Sequence, residues 1–270
     1  MLLTGCLVVA LGFLLIPILA IFLESPLRDL PDLLGQQVVR DAIVITVETN
    51  LVANALILGF GTPAAYLLAT RRFRGRDVVL TLVELPLVLP PAVAGVGLLA
   101  AFGTMGLIGG SLEAWGVVLP FTEAAVVLAI VFVASPFYLR QAIAAFEGVD
   151  PNLIAAARTL GARPGRAFAR IALPLALSGL LAGWALAFAR GIGEFGATLI
   201  FAGNIQAVTQ TLPLAIYEQL EVDFDVALAM GCLLVVLSAA ILLSTKILTS
   251  WMPSRSRSRS GFDTSASTPS

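Results

Sequence analysis

The stretch AAARTLGARPGRAFARIALP, Ala155 to Pro174, gathers Arg158, Arg163, Arg166 and Arg170, four of only 16 basic residues in 270. Directly behind it an uncharged, apolar run extends from Ile171 to Ala189. Just ahead of it, Asp150-Pro151 reads as a helix start, with Asp as N-cap and Pro in the first helical position. Gly161 suits the position after the helix end, where a left-handed backbone is cheap without a Cβ. The segment therefore predicts a helix of about ten residues, with Leu153, Ile154, Ala157 and Leu160 at helical spacing on one face. So short a helix is unstable alone and needs a surface to lie on. That surface is either its own bundle and the lipid, or a partner protein; the residues by themselves leave both open.

The rest of the chain explains the setting. Hydrophobic residues make up 59% and charged residues 12%, with a mean hydropathy of +0.98. A soluble domain has about 45–50% and about 25%. The composition is that of an integral membrane protein. The two cysteines, Cys6 and Cys232, lie in apolar runs and imply no disulfide framework. There is no histidine, and no nucleophile–base or metal constellation marks a membrane-embedded enzyme. No Walker-type loop is present, so nucleotide hydrolysis by this chain is not expected. Leu3-Thr4-Gly5-Cys6 imitates a lipoprotein cleavage box, but the apolar run follows the cysteine instead of preceding it.

A membrane-crossing helix needs about 20 predominantly apolar residues. Such runs occur at 1–23, 49–70, 78–103, 124–146, 171–189 and 226–245, giving an all-α protein with six spans. The run 195–217 is long enough on paper but carries Gly196, Gly203, Asn204, Gln206, Thr209, Gln210, Thr211 and Pro213. Irregular backbone of this kind survives at membrane depth only where protein or water shields it, so it is not read as a lipid-facing span. Six spans with both termini inside put Arg71, Arg72, Arg74, Arg76, Arg140, the four loop arginines, Lys246, Arg255, Arg257 and Arg259 on the cytoplasmic side. Only Arg28, Arg40 and Arg190 stay outside, as the positive-inside rule requires. Residues 1–250 form one transmembrane domain. The polar tail 251–270 reads as disordered, its arginines an orienting flank more readily than a lipid or partner site.

The opening stretch resembles the cytoplasmic loop signature of ABC importer permeases: EAA, three residues, Gly, nine residues, I-x-L-P. Ala156-Ala157 is followed by Gly161 and, nine residues on, by Ile171-Ala172-Leu173-Pro174. Ala155 stands where the signature has its Glu. Two further stretches, Leu85 to Gly103 and Ala189 to Tyr217, resemble the molybdate branch of the molybdate/sulfate permeases. The core GEFG, Gly193 to Gly196, is shared with sulfate permeases, while FAGN and TQTLPLAIY lean to molybdate or tungstate. The resemblance covers roughly residues 45–245. It implies an importer permease subunit in the cytoplasmic membrane, two copies forming the path. ATPase subunits, which bind the ATP, would dock below, and an extracytoplasmic binding protein would deliver the oxyanion. No cofactor on this chain and no nucleic acid are implied; membrane lipid surrounds it. Asp150, Leu153, Ala155, Ala156, Ala157, Gly161, Ile171, Leu173 and Pro174 would couple it to the ATPase.

For the path itself, Thr198, Asn204, Thr209 and Thr211 offer hydroxyl and amide donors of the kind that hold a tetrahedral dianion. A solvated external loop accounts for them equally well. Pro90 and Pro91 interrupt helical hydrogen bonding in the third span and predict a kink, shaping either a cavity or a bend. Arg190 and Glu194, four apart, are expected to pair near the outer end of the fifth span, as a structural tie in preference to a ligand contact. Glu84 is expected to reach the interface or pair with Arg71, Arg72 or Arg74. A self-sufficient secondary transporter would show an inverted repeat or titratable mid-span residues, and neither is evident.

Overall fold

The computed structural model describes residues 2–250; the tail 251–270 lies outside them, with the arginines assigned to it. Thirteen α-helices follow one another in these residues: α1 (Leu2–Glu24), α2 (Leu30–Leu34), α3 (Gln37–Thr70), α4 (Arg76–Val88), α5 (Pro91–Phe102), α6 (Gly109–Glu113), α7 (Glu123–Glu147), α8 (Pro151–Thr159), α9 (Pro164–Ala167), α10 (Leu173–Ile192), α11 (Gly196–Phe201), α12 (Leu212–Val222) and α13 (Phe224–Ser250). A π-helical turn, Phe168–Ala172, joins α9 to α10. Five segments are long and apolar enough to cross a membrane, and α4 with α5 forms a sixth, broken one.

The centre of the bundle is α7, packed along much of its length on α3 and on α10. Such close approach needs small side chains, and the buried core is accordingly rich in alanine, including Ala53, Ala65, Ala125, Ala129, Ala134, Ala142, Ala176 and Ala187. In the absence of a hydrophobic driving force between helices in lipid, small residues that let backbones meet supply the packing. Gly183 of α10 is one tight case along this seam: a Cβ there would lie 2.8 Å from Gln141 Cβ and 3.2 Å from Tyr138 O. Tyr138 is buried, and its hydroxyl meets the Thr62 hydroxyl of α3 at 2.5 Å.

Three sequence expectations need correction. The second span does not begin at residue 49; α3 starts at Gln37 and runs 34 residues. Its early charges end a hydropathy window but not a helix: Arg40 folds back to bond Gly35 O through Nε at 2.8 Å, and Asp41 accepts from Gln37 at 2.6 Å. The run 78–103 is not one kinked span, because α4 and α5 meet at a bend of 115°. Leu89 and Pro90 are both extended (ψ 132° and 135°), since a residue preceding proline is pushed out of the helical region, and here two prolines follow. The arginine-rich loop is also shorter than read. Residues 164–192 form one continuous helical run, so Arg166 and Arg170 ride on the helix that becomes the fifth span. Pro174 has no N–H for the carbonyl of Arg170, and the ladder widens into the π turn at that place.

The two ends of the bundle differ in charge. At one end lie Thr70, Arg76, Glu147 and α8, tied by an Arg76 Nη2–Glu147 Oε1 pair at 2.7 Å. The other end holds the starts of α3 and α7 and the segment from Ala202 to Thr211. There the amides of Asn204 and Gln210 donate to Glu218 at 2.9 and 2.6 Å, and Gln206 donates to Asp41 at 3.1 Å.

Gly183→Val should cost about 1–3 kcal/mol by overpacking the α7–α10 seam. Gly59→Ala, with nothing within 4 Å of the new Cβ, should be neutral or stabilising by up to about 1 kcal/mol. Thermal unfolding in detergent compares the two variants.

Candidate functional site

Two regions carry the residues that the sequence singles out. The first is α8. The Asp150 carboxylate caps it, accepting from Asn152 N–H at 2.9 Å, with Pro151 in the first position. At the other end Gly161 adopts φ +86°. Gly161 N–H donates to Arg158 O and Ala162 N–H to Ala157 O, both at 3.0 Å, the paired bonds of a Schellman stop. Both caps match the sequence expectation.

The expected single apolar face is split. Ile154 and Ala157 turn inward, Ile154 against the bundle core. Leu153 is 45% exposed and Leu160 is 89% exposed. Together with exposed Ala156 they form an outward stripe at i, i+3, i+7. Thus α8 rests on its own bundle by one edge and presents a second apolar edge. Ala155 is exposed, and so are Arg158, Arg163, Arg166 and Arg170 around the helix. Ile171 and Leu173 are half-buried and Pro174 exposed at the base of α10. Glu84 pairs with Arg140 of α7, Oε1 to Nε at 3.7 Å, rather than with the arginines of the 71–74 turn.

The second region lies where two broken helices meet inside the bundle. Pro91, at the start of α5, sits against Gly196, at the start of α11; a Cβ on Gly196 would lie 2.7 Å from Pro91 Cβ. A Cβ on Gly95 would lie 2.8 Å from Ile200 Cβ and 2.9 Å from Ala197 O. The Phe102 and Phe201 rings close the pair at 6.3 Å. The half-helices therefore run side by side in the same direction, each relying on a glycine of the other.

Arg190 and Glu194 bridge the α10–α11 break, Nη2 to Oε2 at 2.6 Å. The Glu194 side chain is 1% exposed and that of Arg190 26% exposed. The other carboxylate oxygen accepts from Ala197 N–H at 2.8 Å and so caps α11. The pair is tied as expected, with Arg190 in the last turn of α10, where the fifth span ends. Neighbouring Gly191 packs against Asn50 and Ile130, about 20 Å along α3 and about 10 Å along α7 from their first residues at 1.5 Å per residue.

Thr198, Thr209 and Thr211 are all buried: Thr198 lies in α11, and Thr209 and Thr211 close a segment whose middle, Ile205 to Val208, is exposed. Thr209 Oγ1 accepts from Ile205 N–H at 3.0 Å. The hydroxyls of Thr198 and Thr211 have no protein partner among the described residues, and Asn204 leaves its Oδ1 unbonded.

Sequence reasoning missed the polar column on α3. Thr46, Thr49, Asn50 and Asn54 are all buried. Thr49 bonds back to Ile45 O at 2.6 Å and Asn54 Nδ2 to Asn50 O at 2.9 Å, which hides them from lipid. Two reach across: Asn50 Nδ2 donates to Phe188 O at 3.2 Å and Thr46 Oγ1 accepts from Leu212 N–H at 2.7 Å. Their recurrence at i, i+3, i+4 and i+8 is the signal that identifies one inward-facing stripe.

An exposed apolar stripe at one end, half-helices nested in the interior and five segments able to cross a membrane, with α4 and α5 a broken sixth, describe a membrane-embedded helical bundle. The chain belongs to the family of binding-protein-dependent transport system inner membrane components, whose description matches residues 61–257. It is 48% identical over 206 residues, 76% of this chain and 77% of the relative, to the molybdenum transport system permease protein ModB of Mycobacterium tuberculosis. It is 43% identical over 244 residues, 87% and 85% of the two chains, to a probable molybdenum ABC transporter permease protein of Haloferax volcanii. The fold is that of a bacterial ABC transporter involved in the import of the acidic polysaccharide alginate, with a TM-score of 0.73 at 18% identity, covering 94% of this chain and 96% of the other.

Thr46→Val should leave the buried Leu212 N–H unpaired and cost about 1–3 kcal/mol. The loss should show in detergent unfolding, with a Thr49→Val control close to neutral because Thr49 only bonds back along its own helix.

Proposed function

We propose that this chain is the permease subunit of an ATP-driven importer carrying molybdate or tungstate across the cytoplasmic membrane. The observation that carries the reading is high identity, over most of both chains, to permeases named for molybdenum transport, joined to the preserved spacing from Ala156-Ala157 through Gly161 to Pro174. Two copies form the path, and ATP binds to separate ATPase subunits. The end bearing α8 faces the cytoplasm, because the exposed arginines crowd there; both termini then lie on that side. An extracytoplasmic binding protein delivers the anion to the opposite end, over the Ala202–Thr211 segment.

In this scheme α8 is the coupling element. Its inward edge, Ile154 and Ala157, fixes it to the bundle, and its outward stripe, Leu153, Ala156 and Leu160, enters a groove of the ATPase. The caps at Asp150 and Gly161 hold its length and exit angle. Movement imposed on α8 passes through α9 and the π turn into α10, because Pro164 to Ile192 is one helical run. Ile171, Leu173 and Pro174 are the joint of that lever. At its far end stand the Arg190–Glu194 break and α11, which is packed on α5 beside Pro90 and Pro91. Thr198, Asn204, Thr209 and Thr211 supply polar atoms toward the outer side of the same region. Neutral donors suit a dianion that must leave as readily as it enters.

In proteoliposomes holding the complete complex, molybdate uptake should require ATP and be competed by tungstate more strongly than by excess sulfate. More efficient competition by sulfate moves the substrate to sulfate.

Leu153→Asp should lower ATPase co-purification by about tenfold or more, since an unpaired charge in an apolar groove costs several kcal/mol. Gly161→Val should act in the same direction by straining φ +86°. Membrane insertion and permease yield should stay near parental in both. Full ATPase binding by both variants would show that α8 only covers the membrane surface.

A further inference from the structure

Arg190 is a partly buried charge in the last turn of α10. Its neighbour Gly191 packs against Asn50 and Ile130, which sets the arginine beside the break between α10 and α11. It also lies on the side of α10 that this chain leaves uncovered: Leu175 and Leu186 are each 39% exposed, and Ser178 and Gly193 are exposed on the same stripe. One nitrogen of its guanidinium, Nη2, is held by buried Glu194. Nε and Nη1 have no protein acceptor among the described residues. Donors with no acceptor are costly to place against hydrocarbon. The stripe that carries them must therefore line a shielded, wet space.

We propose that Arg190 is the contact that takes the oxyanion in transit, and that Glu194 is its positioning residue. This inference rests on the oxyanion reading above. A tetrahedral dianion presents two oxygens to the planar guanidinium fork, a fit that Lys does not reproduce. Glu194 does three things for that fork. It pairs with Nη2 and leaves Nε and Nη1 without a protein acceptor among the described residues. It caps α11 through Ala197 N–H and thereby locks the arginine to the break between the half-helices. It also neutralises the cation, so that the site attracts a dianion through donors without becoming a trap. Conduction needs binding strong enough for entry and weak enough for exit. The pair is thus more than the structural tie that its spacing suggests.

The test uses the complete complex of permease, ATPase and binding protein in proteoliposomes, with molybdate as the probe. Three permease variants are compared: the neutral pair R190Q/E194Q, the reversed pair R190E/E194R, and R190K. The neutral pair removes both charges together and leaves no uncompensated ion, so the subunits should still co-purify. Its molybdate uptake should fall about tenfold or more, the scale of one charge-assisted contact. The reversed pair keeps an ion pair at the break and should not recover uptake. R190K keeps both the pair and the charge and should still lose uptake severalfold, because the fork is gone. If the reversed pair restores uptake, the residues are a structural tie alone and the proposal is overturned. Uptake within about twofold of parental in the assembled neutral pair overturns it as well. Should the neutral pair fail to assemble, R190K decides, and unchanged uptake in that variant overturns the proposal. Absence of any ATP-driven molybdate, tungstate or sulfate uptake by the parental complex overturns the oxyanion reading, and this inference with it.

Discussion

Backbone that leaves a helix at membrane depth has to be shielded by protein, and this chain does so twice in one place. The α4–α5 break exposes the start of α5, and the α10–α11 break exposes the start of α11. Neither end is tolerable in hydrocarbon. Nesting them solves both problems, because Pro91 seats on Gly196 and Gly95 admits Ala197 and Ile200. Glu194 then caps the α11 end from below. The rest of the bundle is arranged around this junction: α7 packs behind it, α3 sends Asn50 to the carbonyl of Phe188, and the Ala202–Thr211 segment lies across its outer side.

A lever follows from the same arrangement. A rigid helix transmits displacement along its axis, whereas a break allows the parts on either side to reorient. From Pro164 to Ile192 the chain is helical throughout, with the π turn near the α8 end and the break at the other. Force applied at α8 thus reaches the junction of half-helices with little loss. Under the proposed function, this helix is the route by which nucleotide chemistry on another subunit would act on the path. The two ends also differ in charge, with exposed arginines around α8 and carboxylates gathered where α3 and α12 meet the Ala202–Thr211 segment.

Much of this was legible in the residues. Apolar run length located every long span, because lipid imposes a minimum length on any crossing helix. Asp150-Pro151 and Gly161 located α8 to within a residue, because caps are local chemistry. The pairing of Arg190 with Glu194 follows from their spacing on one helix. Errors arose where the decisive partner lay far away in sequence. Glu84 finds Arg140 and not the nearby arginines, since α4 packs on α7. The charged start of α3 is helical because its charges have partners in the folded chain.

The sequence by itself determined the class of protein, the number of apolar runs and the limits of the α8 helix, all of which depend on composition and on contacts within a few residues. Only the tertiary structure decided how sharply the third run breaks and that its break abuts the one at Gly193–Phe195. It also decided which edge of α8 faces outward, and that Glu194 is buried and caps α11. Each of these depends on which helix packs against which. That choice is made by glycine and alanine seams whose partners lie far apart in the chain, as Gly191 and Asn50 do, and local periodicity carries no record of it.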